Sequence, residues 1–148
     1  MRTTAMTSDV DTRAVLSTLW IVVMLNITAR DIHELLRPGY LQEVMTGSVN
    51  GNEMTEGLLL VGGIGIALHI AMILASRVLP RRINRPLNLV AAPLAITTII
   101  VFTATGGPDL DDLFFTVVEV AALLGVVWSA WRWHDDVVDH LEVDALAR

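Results

Sequence analysis

The sequence has no cysteine and no lysine. Without cysteine there are no disulfides, no thiol nucleophile, no zinc–thiolate site and no iron–sulfur cluster. Without lysine all ten basic residues are arginines, set against sixteen acids for a net charge of -6. An acidic chain without a basic stripe is a poor nucleic-acid ligand, so no nucleic-acid partner is expected. Only 18% of the residues are charged, while 53% are hydrophobic, too apolar for a disordered chain. The length of 148 residues suits one domain.

What is abundant is uninterrupted apolar sequence. Pro86 to Pro108 is 23 residues without an ionisable side chain. Gly57 to Ser76 is 20 residues in which only His69 is ionisable, and Leu113 to Trp131 is 19 in which only Glu119 is. About 20 apolar residues, at 1.5 Å each, cross the roughly 30 Å hydrocarbon core of a bilayer. A soluble helix would carry a polar face every 3.6 residues, and these segments carry none.

A fourth span is less clean. Ala14 to Ala29 is apolar apart from Ser17, Thr18, Asn26 and Thr28, and Arg30, Asp31, His33 and Glu34 follow before Pro38-Gly39. The weakly basic leader contains Asp9 and Asp11 and no A-x-A pattern follows, so a retained helix is favoured over a signal peptide.

The sequence therefore predicts an all-α integral membrane four-helix transmembrane bundle. Helices are expected at about 14–36, 57–79, 87–105 and 110–133, with an external loop over 37–56. Residues 1–13 form an N-terminal segment and 134–148 an acidic tail. Pro86 suits a helix's first turn. Tyr40, Leu41, Val44 and Met45 have helical spacing inside the loop, and Gly47, Asn50 and Gly51 read as turn residues.

Arginine counting orients the bundle. Arg77, Arg81, Arg82 and Arg85 lie between the second and third spans, and Arg2, Arg13, Arg132 and Arg148 lie toward the ends. Only Arg30 and Arg37 fall on the other side. The positive-inside rule then puts both termini in the cytoplasm.

The residues with chemistry lie within the spans. Asn26 and His69 are each about 18–20 Å below the outer surface by helical rise, and Arg30 and Glu119 about 10–14 Å. Asp31 is expected beside them. An ionisable group in hydrocarbon costs at least ~2.5–3.5 kcal/mol on insertion scales, so it has a partner or a function. Asn26, Arg30, Asp31, His69 and Glu119 are thus a candidate buried polar cluster. Its first reading is a structural lock between helices. A second reading is a ligand or transport cavity open to the outside. A third is a quinone-linked membrane enzyme like the DoxX-type four-helix proteins, an analogy of span count alone. No catalytic residue, cofactor or metal site is assigned, because Asn26 is a poor second ligand for His69.

Gly63, Ala67, Ala71 and Ala75 form a small-residue row on the second span, and Gly125 belongs to a shorter one on the fourth. Such rows admit close helix approach, within the chain or in a homodimer.

Leu16-Ser17-Thr18-Leu19-Trp20, Met24-Leu25-Asn26 and Asp31-Ile32 resemble the opening of a family of small bacterial four-helix membrane proteins of unknown function. Ser76-Arg77-Val78-Leu79, with Asn84-Arg85 and Asn88, looks like that family's cytoplasmic loop. Phe114-Phe115, Glu119 and Trp128-x-Ala130-Trp131-x-Trp133 look like its last helix. The resemblance implies a four-span protein of the bacterial inner membrane, with Asp31, Arg85 and Glu119 as matching polar positions. It brings no activity, and the small-molecule ligand, if one binds, is unspecified.

Overall fold

The computed structural model describes residues 2–49, 51–105 and 109–133; for residues 2–9 it describes the backbone alone. The acidic tail expected over 134–148, and the turn residue Asn50, lie outside the described residues. Five helices form: α1 (Arg2–Glu34), α2 (Tyr40–Thr46), α3 (Glu56–Val78), α4 (Arg81–Thr105) and α5 (Leu110–Arg132). All but α2 contain a stretch long and apolar enough to cross a membrane: Val10–Glu34, Glu56–Val78, Arg81–Thr105 and Leu110–Arg132. The chain is all-α in its architecture and multi-pass in its span content.

Local chemistry explains the boundaries. α1 stops before Pro38-Gly39, and α2 is bracketed by Gly39 (φ 89°) and Gly47 (φ 80°), left-handed conformations that glycine adopts without a Cβ clash. A two-residue hairpin follows, β1 (Ser48–Val49) against β2 (Asn52–Glu53), pairing Ser48 with Glu53 and Val49 with Asn52. The hydroxyl oxygen of Thr55 accepts the Leu58 amide at 3.2 Å and so starts α3. Asp109 starts α5 in the same way, accepting the amides of Asp111 (2.9 Å) and Asp112 (3.0 Å).

The third span begins earlier than its sequence predicts. α4 starts at Arg81, not near 87, so Pro86 sits inside the helix rather than in its first turn. The early start has a cause in the packing. Pro80 O receives the amides of Ile83 and Asn84, both at 3.0 Å, and the Asn84 side chain turns inward to cap the end of α3. Arg81, Arg82 and Arg85 therefore lie on a helix, and only Leu79 and Pro80 link it to α3.

α1 is central. It packs against α3 on one side and α5 on the other, while α4 packs against α5. α3 and α4 meet far less, close to their connection. The core runs along Leu16, Trp20 and Val23 of α1, Ala92, Ala95 and Ile99 of α4, and Leu123, Val126 and Ala130 of α5. On α5 the buried positions Glu119, Leu123, Val126 and Ala130 alternate steps of four and three, the spacing that keeps one seam against a neighbouring helix.

The small-residue rows part company. A Cβ built on Gly125 would stand 3.4 Å from Leu19 Cδ1, so this glycine sets the approach of α1 to α5. One built on Gly63 meets nothing within 4 Å, and Ala67 and Ala71 are exposed as well. Of that row of α3, Gly63, Ala67 and Ala71 lie open among the described residues, and Ala75 is half-buried.

Candidate functional site

The deepest charge belongs to Glu119, whose side chain is 0% exposed. α5 carries it into the seam because it lies on the same face as Leu123 and Val126. Its Oε1 accepts from Asn26 Nδ2 at 3.1 Å, and the same amide nitrogen donates to the Phe115 carbonyl at 2.9 Å. Arg30, one helical turn beyond Asn26, brings Nη1 to 3.7 Å from Glu119 Oε2. That is an ion pair without a direct hydrogen bond, since N–H···O bonds run about 2.7–3.2 Å. Three of the five residues of the predicted cluster thus meet at one α1–α5 contact.

The other two do not. Asp31 is exposed, because the next residue along a helix points about 100° away and Arg30 already takes the inward direction. His69 does not reach Asn26. Its Nδ1 lies 2.8 Å from the Gly65 carbonyl of its own helix, and its ring stands edge-on to Trp20, 5.5 Å between centroids. The reason is the packing order. Asn26 faces α5, whereas α3 lies against the side of α1 that carries Ser17 and Trp20. There Ser17 Oγ donates to the Ile73 carbonyl at 3.0 Å. A carbonyl only accepts, so His69 Nδ1 carries the hydrogen; Nε2 is buried and has no hydrogen-bond partner among the described residues.

A second buried network lies toward the arginine-rich end. Trp20, Ser76, Asn84 and Asn88 are all essentially inaccessible. Trp20 Nε1 donates to Asn88 Oδ1 at 2.7 Å, and Ser76 Oγ donates to the same oxygen at 3.2 Å. Asn88 Nδ2 donates to Asn84 Oδ1 at 2.6 Å and to the Asn84 carbonyl at 2.9 Å. Asn84 Nδ2 closes the set on the Ser76 carbonyl at 2.7 Å, satisfying a group that the end of α3 leaves without an intrahelical partner. Sequence reasoning places Asn84 in a loop and so misses this network. The available signal is the pair Asn84 and Asn88, four residues apart and on one helix face.

The arginines near that end bind backbone carbonyls. Arg85 Nε donates to the Ala130 carbonyl at 3.2 Å, and Arg81 Nη2 to the Trp133 carbonyl at 2.6 Å. Both close the carbonyl end of α5, where positive charge is favoured. Arg81 also lies over the Trp133 ring and Arg132 over that of Trp128.

At the opposite end, the close of α1, the segment up to Pro38 and the start of α5 line a partly open cavity of about 310 Å3, with Arg30 and Phe115 in its lining. At its edge His33 Nδ1 lies 3.0 Å from Asp111 Oδ2. Burial, together with the Glu34 carboxylate nearby, raises the Tyr40 phenol above its ordinary value. His69 and Asp31 are not part of this cavity.

A family model matches residues 5–140, which takes in α2 to α5 whole and all but the first three residues of α1. The chain belongs to the family of unknown function DUF6326. No curated protein and no solved structure matches it. Membership of this family therefore assigns no substrate. Among the described residues no group of three or more His, Asp or Glu side chains is disposed to hold a metal ion.

Proposed function

We propose that this chain is a structural or accessory protein of the bacterial inner membrane, with both termini cytoplasmic, whose buried polar cluster locks the helix bundle. One observation carries the reading: the Glu119 carboxylate is fully buried between α1 and α5 and faces both Asn26 and Arg30. A charge in that position fixes the register of the two helices, because any slip strands it in hydrocarbon without its partners. The satisfied network of Trp20, Ser76, Asn84 and Asn88 adds a second fixed layer that joins α1, α3 and α4. The orientation rests on the distribution of arginines. A second copy of the chain would find its place on the exposed row Gly63, Ala67 and Ala71, where close helix approach is unobstructed.

A double-mutant cycle in detergent or nanodiscs tests the lock. Removing one member of a buried ion pair costs roughly 3–5 kcal/mol, because the other charge is left alone. Glu119→Ala lowers the unfolding temperature, and adding Arg30→Ala costs little more. Strictly additive losses would refute the lock.

A further inference from the structure

The cavity between α1 and the N-terminal end of α5 is not used by the lock, although it shares Arg30 with it. Arg30 is its deepest charge, one helical turn below Glu34 at the end of α1, with Arg37 at the rim. Four carboxylates stand around the rim. Asp111 takes His33, Asp109 caps α5, and Glu34 lies near the Tyr40 phenol. The Asp112 side chain has no hydrogen bond or ion pair among the described residues. Phe115 and Leu36 supply apolar wall.

Two atoms at the floor are also left short. The Arg30 guanidinium makes no hydrogen bond among the described residues, and its contact with Glu119 spans 3.7 Å. Glu119 Oε2, on the side facing Arg30, is buried without a hydrogen-bond partner among the described residues. Buried polar atoms are nearly always satisfied, so an unsatisfied carboxylate oxygen behind an under-used arginine marks more than internal packing.

We propose that this cavity binds a small zwitterion of the amino-acid type. Its carboxylate lies on the Arg30 guanidinium, its ammonium on Asp112, and its apolar body against Phe115 and Leu36. The charge pattern selects this class. A simple anion is repelled by the acidic rim, and a simple cation by Arg30 at the floor. A zwitterion matches both ends. The five donors of a guanidinium can serve two carboxylates at once, Glu119 behind and the ligand in front. A volume of about 310 Å3 is at the small end of ligand pockets, too small for a lipid or a peptide. The proposal rests on the lock, since Glu119 is what holds Arg30 in place.

The test uses the full chain in nanodiscs and titrates glycine, L-leucine and L-phenylalanine by calorimetry. Isopentylamine and 4-methylpentanoate, which each keep one of leucine's charges, form the other arms. Charge-assisted hydrogen bonds contribute about 1.5–3 kcal/mol, so each single-charge analogue binds at least about tenfold more weakly than leucine. Arg30→Gln removes binding. Asp112→Asn, outside the lock, weakens binding while leaving thermal unfolding unchanged, which keeps the result separate from misfolding. Absence of saturable binding by the amino acids to the folded chain overturns the proposal, as does an amine that binds as well as leucine. Leucine binding by a chain whose stability ignores Glu119→Ala overturns the lock alone.

Discussion

The indole nitrogen of Trp20 donates to Asn88 Oδ1 across 2.7 Å, tying α1 to α4 although the two residues are 68 positions apart. The same oxygen accepts from Ser76 of α3, so one amide gathers three helices. Cutting it orphans several buried groups at once, each at a cost of about 1–3 kcal/mol. Asn88→Ala is therefore expected to destabilise the chain clearly more than Trp20→Phe, which leaves the Ser76 bond in place. Thermal unfolding of the two variants in detergent checks the order, and equal losses would contradict it.

Gly125 and Gly63 are expected to respond in opposite ways to the same change. Gly125→Leu drives a side chain into Leu19, and overpacking of this kind costs typically ~1–3 kcal/mol. Gly63→Leu enters open space and leaves the unfolding of the single chain unchanged. If the α3 row holds a second copy, Gly63→Leu converts dimer to monomer in native mass spectrometry.

His69 is expected in the tautomer with its hydrogen on Nδ1, because the Gly65 carbonyl 2.8 Å away can only accept. Nitrogen NMR of labelled histidine reads this directly, and a dominant Nε2–H form would contradict the geometry. Since Nε2 has no partner among the described residues, His69→Phe removes no cross-helix hydrogen bond and keeps a ring against Trp20. Its effect on stability is expected to be near zero or slightly favourable.

The orientation can be read with thiols, because the native chain has none. A cysteine at Arg82 is expected to react only from the cytoplasmic side, and one at Asn52 only from outside. Labelling of the Arg82 site in intact cells by an impermeant reagent would reverse the topology.

Composition and run length alone determined that the chain is all-α with four apolar spans, because a bilayer demands about 20 apolar residues whose backbone bonds close within the segment. Sequence also singled out Asn26, Arg30 and Glu119, since polar groups are conspicuous in apolar runs and helical rise gives their depth. It could not give rotation about the helix axes or the order in which helices pack. Those depend on contacts between residues far apart in the chain, and only the tertiary structure decided them. Packing α3 on the Trp20 side of α1, and α5 on the Asn26 side, is what separated His69 from the Glu119 cluster. The inward turn of Asn84 was hidden for the same reason. Its partners are the end of α3 and Asn88, and until those are brought together an asparagine beside Arg85 and Pro86 reads as loop.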